Sequence, residues 1–108
     1  LNGFEFDTAI RFNLPIVSIV GNDGGWGQIR TPQIGMVTEE RAIATKLGFT
    51  RYDKIVEAMG GYGELVENPD DIGGALERAF ASGKPACINV LIDPQGMSKT
   101  GASTPYIV

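Results

Sequence analysis

The chain has 108 residues, a net charge of −4 and no histidine. One domain's worth of chain without a basic cluster speaks against nucleic acid or an anionic membrane surface as partner, and no apolar stretch reaches the roughly 20 residues a spanning helix needs. Without histidine the chain cannot supply a Ser-His, Cys-His or His-metal site, and its lone cysteine, Cys87, excludes an internal disulfide and fits a reducing, cytoplasmic setting.

The opening segment reads as a helix in which Phe6, Ala9 and Ile10 share a face, with no signal-peptide pattern. Residues 14–20 form an unbroken apolar run, expected as a strand that suits a parallel sheet covered on both faces, with Pro15 at its start, and that this chain by itself leaves with an open apolar edge and an uncovered face. Residues 22–37 read as a loop with one short helical stretch over 26–30, limited by Pro32 and Gly35. Thr38 is expected to start a helix with Glu39 and Glu40 in its first turn, Lys46 near its end and Gly48 as its stop. Thr50 and Asp53 resemble a capping box for a further helix, in which Tyr52, Ile55, Val56 and Met59 follow at spacings of three and four, with Tyr52 and Met59 expected in the core.

Gly60-Gly61 ends that helix, and residues 62–67 read as a short strand. Asn68-Pro69-Asp70-Asp71 then combines a cap, a first-turn proline and acids, which predicts a helix start rather than an acid–base pair. Ile72, Leu76, Ala79 and Phe80 give its buried stripe, and Gly83 closes it. Residues 86–92 are a second apolar run, expected as a buried strand that carries Cys87 as a packing residue rather than a nucleophile. Residues 1–92 are expected to form the folded part and residues 93–108 an extended tail. The alternation of helices and strands predicts a three-layer α/β sandwich with a mostly parallel sheet. Three strands are few, so the order suggests the distal part of a larger doubly wound domain.

The candidate site is Asn22-Asp23-Gly24-Gly25-Trp26-Gly27, directly after the first apolar run. A carboxylate and an amide oxygen are hard ligands suited to Mg²⁺, and glycines let the backbone approach a bulky ligand closely. Open α/β sheets bind ligands at the ends of their parallel strands. The same residues are also ordinary turn chemistry.

Three segments together carry a family resemblance: residues 1–9, Asn13-Leu14-Pro15-Ile16-Val17, and Gly21-Asn22-Asp23-Gly24-Gly25-Trp26-Gly27. They resemble the C-terminal domain of thiamine-diphosphate-dependent enzymes, within the acetolactate synthase-like group that also holds 2-hydroxyacyl-CoA lyases. The family's diphosphate motif opens with Gly-Asp-Gly and closes with two asparagines, and only the closing part is present. Asn22 matches the first asparagine, while Asp23 stands where the family has the second. The resemblance implies that the Asp23 carboxylate and the Gly25 carbonyl bind Mg²⁺, with Asn22, Gly24, Trp26 and Gly27 around the cofactor. The substitution keeps an oxygen ligand and adds a negative charge.

Gln28 and Ile29 match positions near the thiazolium, so the resemblance offers them as substrate contacts beside a plain helix-packing role. Trp26 is either a helix-start packing residue or a wall of the cleft. Arg30 suits a carboxylate or a CoA phosphate, with a surface ion pair as the plainer reading. Ser98 and Lys99 either close over the site or belong to a solvated tail. The family's catalytic glutamate comes from an N-terminal domain with no counterpart here. Glu5 matches a helix position after the motif start, so no catalytic residue is assigned.

The implied activity makes or breaks a carbon–carbon bond next to a carbonyl. The first expectation is acetolactate synthase-like carboligation with 2-keto acid decarboxylation, and the second is a 2-hydroxyacyl-CoA or oxalyl-CoA lyase-type reaction. The implied cofactors are thiamine diphosphate and Mg²⁺, with FAD possible but not indicated. The implied partners are a 2-keto acid or acyl-CoA substrate and the N-terminal domain of another subunit in a homodimer or homotetramer. Two readings from other classes stand beside these: a non-catalytic assembly module, and a flavodoxin-like nucleotide binder, for which no phosphate loop is visible.

Overall fold

In the computed structural model, which describes residues 3–96, a three-stranded parallel sheet is ordered β1-β3-β2. The strands are β1 (Val17–Asn22), β2 (Tyr62–Val66) and β3 (Ala86–Leu91). The helices are α1 (Glu5–Arg11), α2 (Gly27–Val37), α3 (Tyr52–Met59) and α4 (Ile72–Ser82). The residues proposed for the tail fall mostly outside the described part, Ser98 and Lys99 among them.

The pleat sorts β3 into two faces. Ala86, Ile88 and Val90 join Val66 of β2 and Ala75 and Ala79 of α4 in one apolar cluster. Asn89, on the opposite face, reaches Asp53 of α3. The sheet is therefore sandwiched between α4 and α3, with α1 packed on α3, which is the expected three-layer α/β arrangement. Close contact on the α3 side depends on Gly63, where a Cβ would sit 2.1 Å from the Asp53 carbonyl oxygen.

Several expectations need correction. β1 begins at Val17, not at residue 14. The backbone N–H groups of Leu14 and Ile16 donate to Ala9 and Leu14 in a local turn after α1, and Pro15 has no N–H for a ladder. β1 does lie at the sheet edge, and Ile19 is 54% exposed, the open edge and uncovered face expected of this chain by itself. β3 ends at Leu91, leaving Ile92 outside it.

The helical stretch after Trp26 continues through Pro32 to Val37. The proline forfeits one bond, to the carbonyl of the exposed residue Gln28, where water can replace it. The helix expected from Thr38 is only a 3-10 turn over Glu39–Arg41. The following backbone is committed elsewhere: Thr45 accepts from the Trp26 N–H at 2.9 Å, and the Leu47 and Gly48 N–H groups both donate to Gly24 at 2.8 Å. These bonds override local helix preference.

Thr50 and Asp53 form no capping box. Arg51 occupies the cap position, and the Asp53 carboxylate points inward. In α4 the buried positions are Ala75 and Ala79, with Ile72 and Leu76 packed beside them, while Phe80 is 68% exposed. Tyr52 and Met59 of α3 are half-buried rather than core. Asn68 does cap, its Oδ1 accepting from the Asp70 N–H at 3.1 Å, but it caps a 3-10 turn that leads into α4.

Candidate functional site

β1 ends in a loop that is folded around its own side chains. Asn22 Oδ1 accepts from the Gly24 N–H at 3.0 Å. The Asp23 carboxylate accepts from Gly25 through Oδ1 at 2.9 Å and from Gly27, the first residue of α2, through Oδ2 at 3.1 Å. Each carboxylate oxygen thus keeps lone-pair capacity for a further partner. Gly24 sits at φ 67°, a conformation that suits glycine. At Gly25 a Cβ would lie 2.7 Å from the Thr45 carbonyl oxygen, so the facing loop leaves no room for a side chain. The carbonyl of Gly25 accepts no backbone bond among the described residues outside regular elements.

A cavity of about 390 Å³ opens here, beyond the carboxyl end of β1. Asp23, Gly24, Gly25 and Gly27 form one side; Thr45, Lys46, Gly48 and Phe49 form much of the other. Arg30 reaches it from α2 and donates to Thr45 Oγ1 at 3.4 Å and to Glu39 at 3.2 Å, so it takes part in an ion pair as well as in the cavity wall. One carboxylate, a free carbonyl and two cationic side chains make a donor set for a hard cation bound together with an anion. No cluster of three or more His, Cys, Asp or Glu exists among the described residues, so an all-protein metal cage is not what this site offers.

The structure brings together Asp23, Gly24, Gly25 and Gly27, with Asn22 bracing them from behind. It does not bring in Trp26, Gln28 or Ile29: none of them lines the cavity, Trp26 is 57% exposed and Ile29 is 58% exposed. Thr45, Lys46, Gly48 and Phe49 were missed by sequence reasoning because their segment carries helix-like signals. The glycine at position 48 was the available hint, since it marks where the chain turns toward the cavity.

A buried polar network was also missed. Asn22 Nδ2 donates to the Thr50 carbonyl at 2.9 Å and to Asn89 Oδ1 at 3.1 Å. Asn89 Nδ2 donates to the Thr50 carbonyl and to Asp53 Oδ1, both at 3.1 Å. Arg51 grips Asp53 through Nε at 3.0 Å and Nη2 at 2.6 Å, and these bonds, more than the one from Asn89, hold the Asp53 carboxyl below the usual carboxylate range. An amide within an apolar strand was the readable signal. Cys87 lies on the same face of β3, and burial pushes its thiol up to about 11, which suits a packing residue and not a nucleophile.

Residues 1–90 match a protein family described as "Thiamine pyrophosphate enzyme, C-terminal TPP binding domain". Similar proteins include the acetolactate synthase large subunit IlvG of Mycobacterium tuberculosis, 47% identical over 86% of this chain and 17% of that protein. They also include a 2-hydroxyacyl-CoA lyase of Arabidopsis thaliana, 39% identical over 93% of this chain and 18% of that protein, and the 2-hydroxyacyl-CoA lyase 2 of Homo sapiens, 36% identical over 82% of this chain and 14% of that protein. The chain therefore spans less than a fifth of the length of these relatives.

Proposed function

This chain belongs to the thiamine pyrophosphate enzyme family, and we propose that its cavity holds the diphosphate end of thiamine diphosphate through Mg²⁺. The observation that carries the reading is the pairing of the Asp23 carboxylate and the free Gly25 carbonyl with the cations Arg30 and Lys46 around one cavity. Asp23 and Gly25 would hold the metal. Arg30 and Lys46 would offset the diphosphate charge left over, and Gly24 and Gly27 would let the ligand lie against bare backbone. Bound there, thiamine diphosphate supplies an electron sink for a carbanion next to a carbonyl. The residues of this chain bind and orient; none of them is assigned proton transfer.

The reaction proposed for the whole protein is acetolactate synthase-like: decarboxylation of a 2-keto acid and carboligation, in a homodimer or homotetramer. Its support is the 47% identity to the mycobacterial acetolactate synthase subunit. A 2-hydroxyacyl-CoA lyase-type cleavage is the second reading, supported by the 39% identity to the plant enzyme over a larger share of the chain. Residues 1–92 would serve as the cofactor-holding part in either case. No helix among the described residues is long and apolar enough to cross a membrane, and a cytoplasmic enzyme is proposed.

The test is to supply the full-length protein with thiamine diphosphate, Mg²⁺ and, in parallel, pyruvate or a 2-hydroxyacyl-CoA. Acetolactate formation is the expected outcome. Cleavage of the CoA ester alone would select the second reading. Neither reaction, together with no cofactor binding, would overturn both and favour a non-catalytic assembly module.

A further inference from the structure

Asn89 is fully buried in the middle of β3, flanked along the strand by Cys87, Ile88, Val90 and Leu91. Burying an amide there is costly unless it is bonded, and this one is bonded at both ends. Its oxygen takes the Asn22 amide; its nitrogen serves the Thr50 carbonyl and Asp53. The Thr50 carbonyl collects both asparagine nitrogens.

These contacts have a direction. Asn22 carries the loop that presents Asp23 and Gly25, since its own oxygen fixes the Gly24 N–H. Thr50 ends the segment that supplies Thr45, Lys46, Gly48 and Phe49 to the opposite wall. Asn89 lines no part of the cavity, yet it joins both walls to the centre of the sheet and, through Asp53, to α3. We propose that Asn89 is a positioning residue of the cavity, anchoring the paired Asp23–Gly25 and 45–50 loops against the sheet and thereby setting the affinity for the metal–diphosphate. The proposal rests on the cofactor reading above. A hydrophobic residue would pack this strand as well, but Asn22 would keep only its direct bond to the Thr50 carbonyl, and neither loop would be tied through this position to the sheet centre or to Asp53.

The test is calorimetric titration of the full-length protein with Mg²⁺ at a fixed, saturating concentration of thiamine diphosphate, for the wild type, Asn89→Ala and Cys87→Ala. Cys87 is equally buried on the same face of β3 but has no place in the network, so Cys87→Ala controls for loss of packing. Asn89→Ala is expected to weaken the Mg²⁺ dissociation constant about tenfold, the usual scale for partners that orient ligands, while Cys87→Ala leaves it unchanged. An unchanged constant in folded Asn89→Ala protein would overturn the proposal and leave the amide a purely structural group. So would an equal weakening in both variants. If Asn89→Ala does not fold, Asn89→Ser takes its place in the same titration with the same two readings. Failure of the wild type to bind thiamine diphosphate at all is a separate result, which removes the cofactor reading and this proposal with it.

Discussion

The half of the molecule around β3 and the half between residues 24 and 50 are held by different physics. In the first, Ala86 through Val90 are all buried and two helices cover the sheet. In the second, Thr45 alone is buried, and α2 buries nothing. What holds the second half is backbone pairing: Trp26 to Thr45, Leu47 and Gly48 to Gly24, and the side-chain caps of Asn22 and Asp23. This domain concentrates its apolar core away from the cavity and builds the cavity wall from loop and glycine-rich chain. Such a wall commits its N–H groups to its own loops and leaves the Gly25 carbonyl and the remaining Asp23 lone pairs for a ligand, at the expense of local stability.

Changes in the packed half should therefore be the most damaging. Ile88→Ala, at a fully buried position, is expected to cost about 4 kcal/mol, read as a fall in melting temperature. Gly63→Ala should follow at about 3 kcal/mol, because the added Cβ would collide with the Asp53 carbonyl and push α3 off the sheet. Losses of similar size from Ile43→Ala, an exposed residue in the second half, would show that the two halves are held alike.

Acid should act next, through carboxylates anchored in the packed half. Arg51 holds the Asp53 carboxyl below its ordinary value, and Arg78 does the same for Glu64. Groups with lowered folded values stabilise above the unfolded value, which is about 4, and lose that contribution as pH falls through the folded value. The melting temperature is thus expected to drop on acidification below about pH 4, and Asp53→Asn should flatten the drop. The smallest effect belongs to the loop half. Glu39→Ala removes the exposed partner of Arg30 and is expected to cost less than about 1 kcal/mol, since exposed pairs contribute little beside the backbone bonds that hold the loop.

The same division decides what could be read from the sequence. Residues 86–92, the 52–59 helix and the Asn68-Pro69 helix start carry apolar runs, regular spacing and turn chemistry, and each appears close to where those signals place it. Asn22 through Gly25 were legible as a ligand-ready turn because side-chain oxygens and glycines advertise one. The segment from Thr38 to Phe49 was not legible. Its acids and its lysine mimic a helix, but its structure depends on N–H groups paired to residues about 20 positions earlier, which no local pattern encodes. Exposure of Phe80 was equally hidden, because periodicity shows which face is apolar and not how far a neighbour extends over it. The Asn22–Asn89–Asp53 network joins residues far apart in the chain and becomes visible only once β1 and β3 lie side by side.

The role proposed for Asp23 is to place a metal ion for a diphosphate. Its most direct test is calorimetric titration of the full-length protein and its Asp23→Ala variant with thiamine diphosphate, with and without Mg²⁺. Binding that requires Mg²⁺ and is largely lost in Asp23→Ala is expected. Equal affinity in the two proteins, or binding indifferent to Mg²⁺, would contradict it.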